Sequence, residues 1–399
     1  MTKPKTKFKL ISGRPPVIVQ ILPALIRGGV ERGTIEIAQA IQEAGGRAVV
    51  ISNGGPLARH VTRCGGKHIE LPVHRKNPFC WPSLRRQMCS ILHSEGANIV
   101  HVRSRVPAWI ALPVAEAMNI PTISTVHSRF STNSFLKRLY NAKLLEAKQV
   151  IAISDYVHSL ITSQYLGVED RLTVVHRGVD TTIFDPAAVN QTRIINFADS
   201  VSLPEDAPVV MMPARASPWK GHKILIEALA KIQDIKFVCI FVGAQDGKDK
   251  FVQELMRQAK SRGLDGRFRL TPTIDDMPAA LMVADVVVMP SITPEPFGRV
   301  ALEAQAMGRP IVAFDHGGAV ESIMPGKTGW LARPKDANSL AEALVAALSL
   351  GPRQRTKLAK AARRHIEQNF SADMMCSQTI KIYRRVLTRV AAEKKQKSM

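Results

Sequence analysis

The chain has 399 residues, a formal net charge of +22 and 45% hydrophobic residues. This length suits two domains of ordinary size, and the composition is that of a globular protein. Every apolar run is shorter than the roughly 20 residues that span a bilayer, which argues against a membrane-spanning helix. No secretory signal is recognisable, so we expect a cytoplasmic protein. The five cysteines are scattered and odd in number, which disfavours a disulfide or zinc framework.

The positive charge is concentrated towards the two ends of the chain. Residues 1–150 carry 22 Lys/Arg and 7 Asp/Glu, residues 151–350 carry 20 and 23, and residues 351–399 carry 13 and 3. This distribution predicts an anionic partner, such as a phosphorylated acceptor, an anionic membrane leaflet or nucleic acid. Lysines that only solubilise surface helices explain it about equally well. Nucleic acid is disfavoured, because aromatic residues make up only 5% and no binding motif is present.

Short apolar runs alternate with helical patterns, which is typical of βαβ units and parallel sheets. The first series predicts a helix at Glu31–Ala44 and strands at Val17–Leu22, Ala48–Ser52, Ile99–Val102, Thr122–Val126 and Val150–Ile153. The second series predicts strands at Val209–Pro213, Phe237–Val242, Phe268–Leu270, Val286–Met289 and Ile311–Phe314. Each strand of the second series is followed by a helical pattern.

These patterns predict an α/β protein with two Rossmann-like domains that face each other across a cleft. The Pro- and Asp-containing segment Asp185–Asp206 separates the two series and is interpreted as a linker. We therefore predict a first domain at residues 1–190, a second domain at residues 191–370 and a C-terminal helix at residues 371–399.

Two loops of the first domain carry residues suited to a ligand. In open parallel sheets, ligands bind beyond the carboxyl ends of the strands, where helix starts present free amides. Gly28 and Gly29 follow the first predicted strand, so the backbone there can approach an anion closely. His127 ends the strand Thr122–Val126. A tight turn and a structural histidine are the alternative interpretations.

Arg215 and Lys220 lie five residues apart, just past the first strand of the second domain. Together they can hold a diphosphate, because arginine binds two oxygens at once and lysine supplies a mobile charge. A pair of solvated surface charges is the alternative interpretation.

Glu295 and Glu303 lie eight residues apart, where the strand Val286–Met289 gives way to a helix. Their carboxylates can accept hydrogen bonds from sugar hydroxyls, and amides near the helix start suit anionic oxygens. Glutamates near a helix start also occur simply because they favour the helix dipole.

With its flanking residues, the stretch from Pro290 to Gly318 resembles the E-x7-E element of the retaining glycosyltransferases of family 4, which have the GT-B fold. The chain looks like bacterial enzymes of lipopolysaccharide and other cell-envelope synthesis. The resemblance implies retaining transfer of a hexose from a nucleotide-diphosphate sugar to a glycan or lipid-linked acceptor. It also implies that the C-terminal helix packs back on the first domain.

The resemblance assigns a role to each candidate residue. A lysine and arginine pair would stabilise the departing diphosphate, a first glutamate and neighbouring amides would hold the sugar, and the second glutamate would hold the ribose. The catalytic residues would be Glu295, Lys220, Arg215 and His127. The donor-binding residues would be Gly28, Gly29, Arg215, Lys220, Glu295, Phe297, Gly298, Arg299 and Glu303.

Some features limit or qualify the resemblance. No Asp-x-Asp pair is present, so we expect neither a metal ion nor another cofactor. Arg177 stands where relatives usually have asparagine. The sequence does not distinguish UDP, GDP and ADP sugars. Three alternatives remain: a GT-B protein that binds a sugar nucleotide without turnover, an epimerase or phosphorylase of the same fold, and a basic nucleic-acid-binding protein. A further prediction is electrostatic contact of this protein with the inner membrane leaflet.

Overall fold

A computed structural model describes residues 7–26, 28–130, 134–244 and 249–397 of the chain. The chain forms two compact units. The first, here called the N unit, comprises Met1–Arg177 and Ala372–Met399, and the second, the C unit, comprises Gly178–Ser371. The C unit therefore begins earlier than the predicted boundary between residues 190 and 191.

The N unit contains a parallel sheet, whose strand order among the described residues is β3-β2-β1-β4-β5-β6-β7. Its strands are β1 (Val17–Ile21), β2 (Arg47–Ser52), β3 (Lys67–Glu70), β4 (Ile99–Val102), β5 (Thr122–Val126), β6 (Gln149–Ala152) and β7 (Leu172–Val174). Its first six helices are α1 (Gly29–Glu43), α2 (Ala58–Arg63), α3 (Trp81–Glu95), α4 (Arg105–Ala117), α5 (Phe135–Ala142) and α6 (Asp155–Thr162).

The C unit contains a second parallel sheet, whose order among the described residues is β10-β9-β8-β11-β12-β13. Its strands are β8 (Val209–Pro213), β9 (Val238–Val242), β10 (Phe268–Thr271), β11 (Val286–Met289), β12 (Ile311–Phe314) and β13 (Gly329–Ala332). Its helices are α7 (Gln191–Ser200), α8 (His222–Ala230), α9 (Lys250–Ser261), α10 (Met277–Val283), α11 (Arg299–Ala306), α12 (Ala337–Leu348) and α13 (Pro352–Asn369).

The central strands of both sheets are buried along their whole length, as β1 and β8 illustrate. Parallel strands covered by helices on both faces read as continuous apolar runs, and for this reason the sequence patterns predict them well. The strands β3, β7 and β13 were not predicted. All three lie at sheet edges, where a short strand with partly exposed residues leaves a weak pattern.

The segment predicted to be a linker, Asp185–Asp206, lies wholly within the C unit. It contains α7, whose first turn is capped by the side chain of Asn190. Arg193 in α7 donates a hydrogen bond of 2.7 Å to Asp276 at the start of α10. Arg363 of α13 donates to the carbonyl oxygen of Phe184, at 3.0 Å. The unpredicted α7 thus attaches the segment to the C unit.

The last helix, α14 (Ala372–Lys397), belongs to the N unit. Its Tyr383 is fully buried, and the tyrosine hydroxyl lies 2.6 Å from Nδ1 of His101 in β4. Met375 and Ile380 join the same core cluster as Ile37 and Ile41 of α1. The apolar face of α14 therefore completes the hydrophobic core of the N unit. Among the described helices, none is long and apolar enough to cross a lipid bilayer.

Candidate active site

The loops that follow β8 and β11 meet at the carboxyl edge of the C-unit sheet. The strands β8 and β11 are neighbours in the sheet, and the chain continues from β8 to β9 on one side and from β11 to β12 on the other. In parallel sheets, ligands usually bind at such a point, where the strand order reverses. Nζ of Lys220 lies 2.6 Å from Oε1 of Glu295, and these side chains are only 17% and 14% exposed. The structure thus pairs two of the predicted catalytic residues, one from each loop.

Two residues that were not predicted support Glu295. The hydroxyl of Ser291 donates to the same carboxylate oxygen that Lys220 contacts. Nε2 of His316 lies 2.7 Å from the carbonyl oxygen of Ser291 and anchors that residue in turn. Both residues follow strand ends, β11 and β12 respectively, and that position is the signal that could have indicated them.

The two loops approach each other closely because one of them carries a glycine at the point of contact. Gly221 has a φ of +88°, and a Cβ at this position would lie 1.8 Å from the carbonyl oxygen of Pro290. The amide of Ile292 donates to the carbonyl oxygen of Trp219 at 2.9 Å. These backbone contacts hold Lys220 beside Glu295.

The predicted donor-binding residues at the start of α11 have different surroundings. The side chain of Phe297 is 3% exposed and packs against Phe370, so only its backbone is available to a ligand. Gly298 has a φ of +90° and caps α11, whose first amides have no acceptor within the helix. Nη2 of Arg299 lies 2.9 Å from Oε1 of Glu303, which pairs these two predicted residues.

Arg215 differs from Lys220 in its contacts. Its side chain is exposed and has no side-chain hydrogen bond or ion pair with the residues that the structure describes. Lys220 is engaged with Glu295 and also lies over the ring of Trp219, at 4.3 Å from the ring centre. Arg215 therefore has all its donors available for a ligand, whereas Lys220 must exchange a partner.

His127 lies in the N unit, where it lines a cavity of about 230 Å³ at the carboxyl ends of β1, β4 and β5. This cavity is called the N-unit cavity below. Burial, then the positive charges of Arg177 and Arg103, hold the pKa of His127 well below its ordinary value. The imidazole is therefore neutral at pH 7. The cavity is lined by Pro23, Val30, Glu31, Arg103, Ser104, Arg105, His127, Ser128 and Leu144.

Gly28 and Gly29 directly precede the cavity residues Val30 and Glu31. Gly28 has a φ of +151°, and a Cβ there would lie 2.6 Å from the carboxylate of Glu31. The guanidinium of Arg177 donates to the carbonyl oxygen of Gly29. Arg177 is buried and thus supports the loop that carries Gly28 and Gly29.

Comparison with known proteins identifies the family. Residues 27–183 match the model for Glycosyltransferase Family 4, and residues 194–365 match that for Glycosyl transferases group 1. The chain is 28% identical to a D-inositol 3-phosphate glycosyltransferase of Jonesia denitrificans, over 94% of this chain and 91% of the relative.

Two solved structures are similar over most of their length. A glycosyltransferase from Rickettsia africae has a TM-score of 0.86 and 32% identity, and 94% of this chain and 99% of that chain are covered. The HepE protein of Anabaena, solved in complex with UDP and glucose, has a TM-score of 0.79 and 23% identity, with 92% and 99% covered. The chain therefore belongs to the family 4-like glycosyltransferases of the GT-B fold, as the sequence motifs indicated.

Proposed function

We propose that the protein is a retaining hexosyltransferase that uses a nucleotide-diphosphate sugar and acts on an anionic glycan or lipid-linked acceptor, in the synthesis of lipopolysaccharide or another envelope polysaccharide. The observation that carries this proposal is the contact of Lys220 with Glu295, supported by Ser291, at the carboxyl edge of the C-unit sheet. Membership of the family supports the transferase chemistry. The basic residues in 1–150 support an anionic acceptor.

In this proposal the ion pair of Lys220 with Glu295 opens when the donor binds. Lys220 then turns to the diphosphate together with Arg215, and Glu295 accepts hydrogen bonds from the sugar hydroxyls. Positive charge placed where negative charge develops stabilises the transition state more than the ground state. Two cationic side chains can neutralise the leaving diphosphate, so the reaction is proposed to need no metal ion.

Retention is proposed to proceed by attack on the same face from which the diphosphate leaves. The bond between the anomeric carbon and the phosphate oxygen breaks, the acceptor oxygen forms the new bond, and its proton passes to the leaving phosphate. Neither glutamate is proposed as a nucleophile, because Glu295 is proposed to accept hydrogen bonds from the sugar hydroxyls, and Glu303, which pairs with Arg299, is proposed to hold the ribose.

The first test is a thermal-shift screen of UDP, GDP, ADP and their common sugar conjugates, in the presence of EDTA. We expect one nucleotide to raise the melting temperature, because ligand bound only to the folded state stabilises it, by about 2.7 kcal/mol at 100 times Kd. Arg215→Gln should abolish the shift, whereas Arg257→Gln, an exposed arginine of α9, should keep it. A flat response to every nucleotide both in EDTA and with excess Mg²⁺ would contradict the donor assignment, and a shift seen only with Mg²⁺ would contradict metal independence.

A second proposal concerns the membrane, and one surface of the N unit favours it. Phe135, Leu136 and Leu139 of α5 are 78%, 75% and 52% exposed, and Leu166 is 93% exposed. The chain near Leu166 is attached to α5, because Tyr165 donates from its hydroxyl to the carbonyl oxygen of Arg138. We call these four apolar residues the α5 patch. A helix with exposed apolar side chains and neighbouring basic ones is typical of contact with an anionic membrane.

We expect the protein to sediment with vesicles that contain phosphatidylglycerol, and the double change Phe135→Ser and Leu136→Ser to lower the bound fraction at least roughly tenfold. Phe79→Ser, at another exposed phenylalanine outside the patch, serves as the control. Part of the binding should survive about 0.5 M NaCl, because salt screens charges and not apolar contacts. Equal sedimentation of the double variant and the wild type would contradict contact through the patch.

A further inference from the structure

We propose that the N-unit cavity binds a phosphate monoester carried by the acceptor, with Arg103, Arg105 and Ser128 as its ligands. The proposal rests on the proposed glycosyl transfer and adds the chemical group by which the acceptor is held. The three residues follow β4 and β5, near the point where successive connections leave the N-unit sheet in opposite directions. This position suits an anionic ligand.

Arg103 carries the strongest indication. Its side chain is 2% exposed, and its Nε donates to Oε1 of Gln20 at 3.0 Å. The guanidinium of Arg103 also interacts with the hydroxyl of Tyr383, but its Nη2 is buried and has no hydrogen-bond partner among the described residues. A buried charged donor without a partner is costly, so such a group is satisfied by an ordered water, an ion or a ligand. Arg103 lines the cavity, and an anion there would supply the missing acceptor.

Arg105 and Ser128 form a second, preorganised part of the cavity. Nη2 of Arg105 donates to Oγ of Ser128 at 2.7 Å and to the carbonyl oxygen of Arg129 at 3.1 Å. The guanidinium also lies 5.3 Å from the ring centre of Phe130. These contacts fix the orientation of the guanidinium and leave further N–H groups for an anion, since arginine has five. A side chain whose orientation is already fixed before the ligand arrives loses little conformational entropy on binding.

His127 adds a neutral donor or acceptor beside the two arginines. Its Nε2 is buried and has no hydrogen-bond partner among the described residues. Because its pKa is held low by burial and by the arginine charges, the ring is neutral and can donate one N–H to a phosphate oxygen. Glu31 is the one carboxylate that lines the cavity among the described residues, so arginine charge is in excess there.

The size and the donors of the cavity favour a phosphate group over a complete acceptor. Its volume of about 230 Å³ lies below the roughly 300–1,000 Å³ of whole small-molecule sites. The cavity offers hydrogen-bond donors from two arginines, a hydroxyl and an imidazole. A carboxylate has only two oxygens to accept these hydrogen bonds, whereas a phosphate monoester has three anionic oxygens and about two negative charges.

The test is calorimetric titration of the full-length protein with inorganic phosphate, in the presence of the nucleotide that the thermal-shift screen identifies, which fills the C-unit site, and with ionic strength matched by NaCl. We expect saturable binding of phosphate and at least a tenfold increase in its Kd for Arg105→Gln. Ser128→Ala should weaken binding less and without loss of melting temperature. Arg63→Gln, at an exposed arginine of α2, should bind like the wild type. No saturable binding, or an Arg105→Gln variant that binds like the wild type, would overturn the proposal.

A second readout reports on the cavity directly. Bound phosphate offsets the positive field of the arginines, so we expect the pKa of His127, followed by NMR of its ring, to rise when phosphate is added. Arg105→Gln should reduce that rise. An unchanged His127 titration at saturating phosphate would place the bound anion elsewhere and overturn the assignment.

Further binding measurements distinguish the chemical classes of ligand and the molecules that could carry them. Acetate should bind at least tenfold more weakly than phosphate, and equal binding would contradict a phosphate site. If the acceptor is a soluble molecule, glycerol 3-phosphate should compete with inorganic phosphate for the cavity. If the acceptor is a lipid, vesicles that contain phosphatidic acid should compete instead. Competition by neither would overturn the assignment of a phosphate monoester. Arg215→Gln should lose binding of the nucleotide that the screen identifies and keep phosphate binding. Wild-type protein that binds none of the screened nucleotides but still binds phosphate would therefore contradict the proposed donor alone.

Discussion

Replacement of Glu295 by glutamine, or of Lys220 by alanine, is expected to lower kcat by about 10²–10³-fold at saturating donor, or roughly 3–4 kcal/mol. Lys220→Ala removes a charge from the proposed leaving group and leaves the mostly buried Glu295 without its cation. Glu295→Gln removes the negative acceptor for the sugar hydroxyls and for Lys220. The measurement is release of nucleotide from the donor identified by thermal shift, with and without acceptor.

The chain offers a matched control in the same unit. Lys223 and Glu254 form an ion pair of the same length, 2.6 Å, but are 48% and 49% exposed. Lys223→Ala and Glu254→Gln should therefore keep turnover within about twofold, because exposed ion pairs contribute little. The double variant of Lys220 and Glu295 should lose about as much as either single variant, since the two residues act together. Near-normal kcat in both single variants would contradict the proposed site.

Gly221→Ala is expected to have the largest effect on structure, a destabilisation of at least about 3 kcal/mol together with loss of donor binding. The added Cβ would lie 1.8 Å from the carbonyl oxygen of Pro290, and Gly221 has a φ that alanine rarely adopts. Relief of the overlap must separate the loop of Lys220 from the loop of Glu295. Thermal melting with and without nucleotide measures both consequences.

Gly266→Ala is the control for backbone strain alone. Gly266 has a φ of +74°, and nothing lies within 4 Å of a Cβ built on it. This variant should cost only about 1–2 kcal/mol and keep the nucleotide shift. If Gly221→Ala and Gly266→Ala melt alike and bind nucleotide alike, the close approach of the two loops is not what holds Lys220 in place.

The sequence predicts much of the candidate site because both strand ends and helix starts leave local patterns. Arg215, Lys220, Glu295 and Glu303 can be placed on loops at strand ends from the apolar runs that precede them. The contact of Lys220 with Glu295 cannot be predicted this way, because it depends on β8 and β11 being neighbours in the sheet. The support from Ser291 and His316 depends on the same arrangement.

Arg103 and Arg177 show a second kind of limit. In the sequence each is a basic residue in a basic region, and nothing local marks it as buried. The fold buries both, because α14 returns to the N unit and covers that side of the sheet. A missing hydrogen-bond partner, as at Nη2 of Arg103, can be recognised only when all neighbours are placed.

The sequence by itself determined the α/β class, the central strands, the family and the loops that carry the candidate residues, because these follow from periodicity and from motifs within short stretches of chain. Only the tertiary structure decided the edge strands, the unit boundary at Gly178, the ion pair of Lys220 with Glu295 and the N-unit cavity. Each of these depends on which distant segments become neighbours. Burial and pairing of charges are properties of that neighbourhood, and no local pattern contains them.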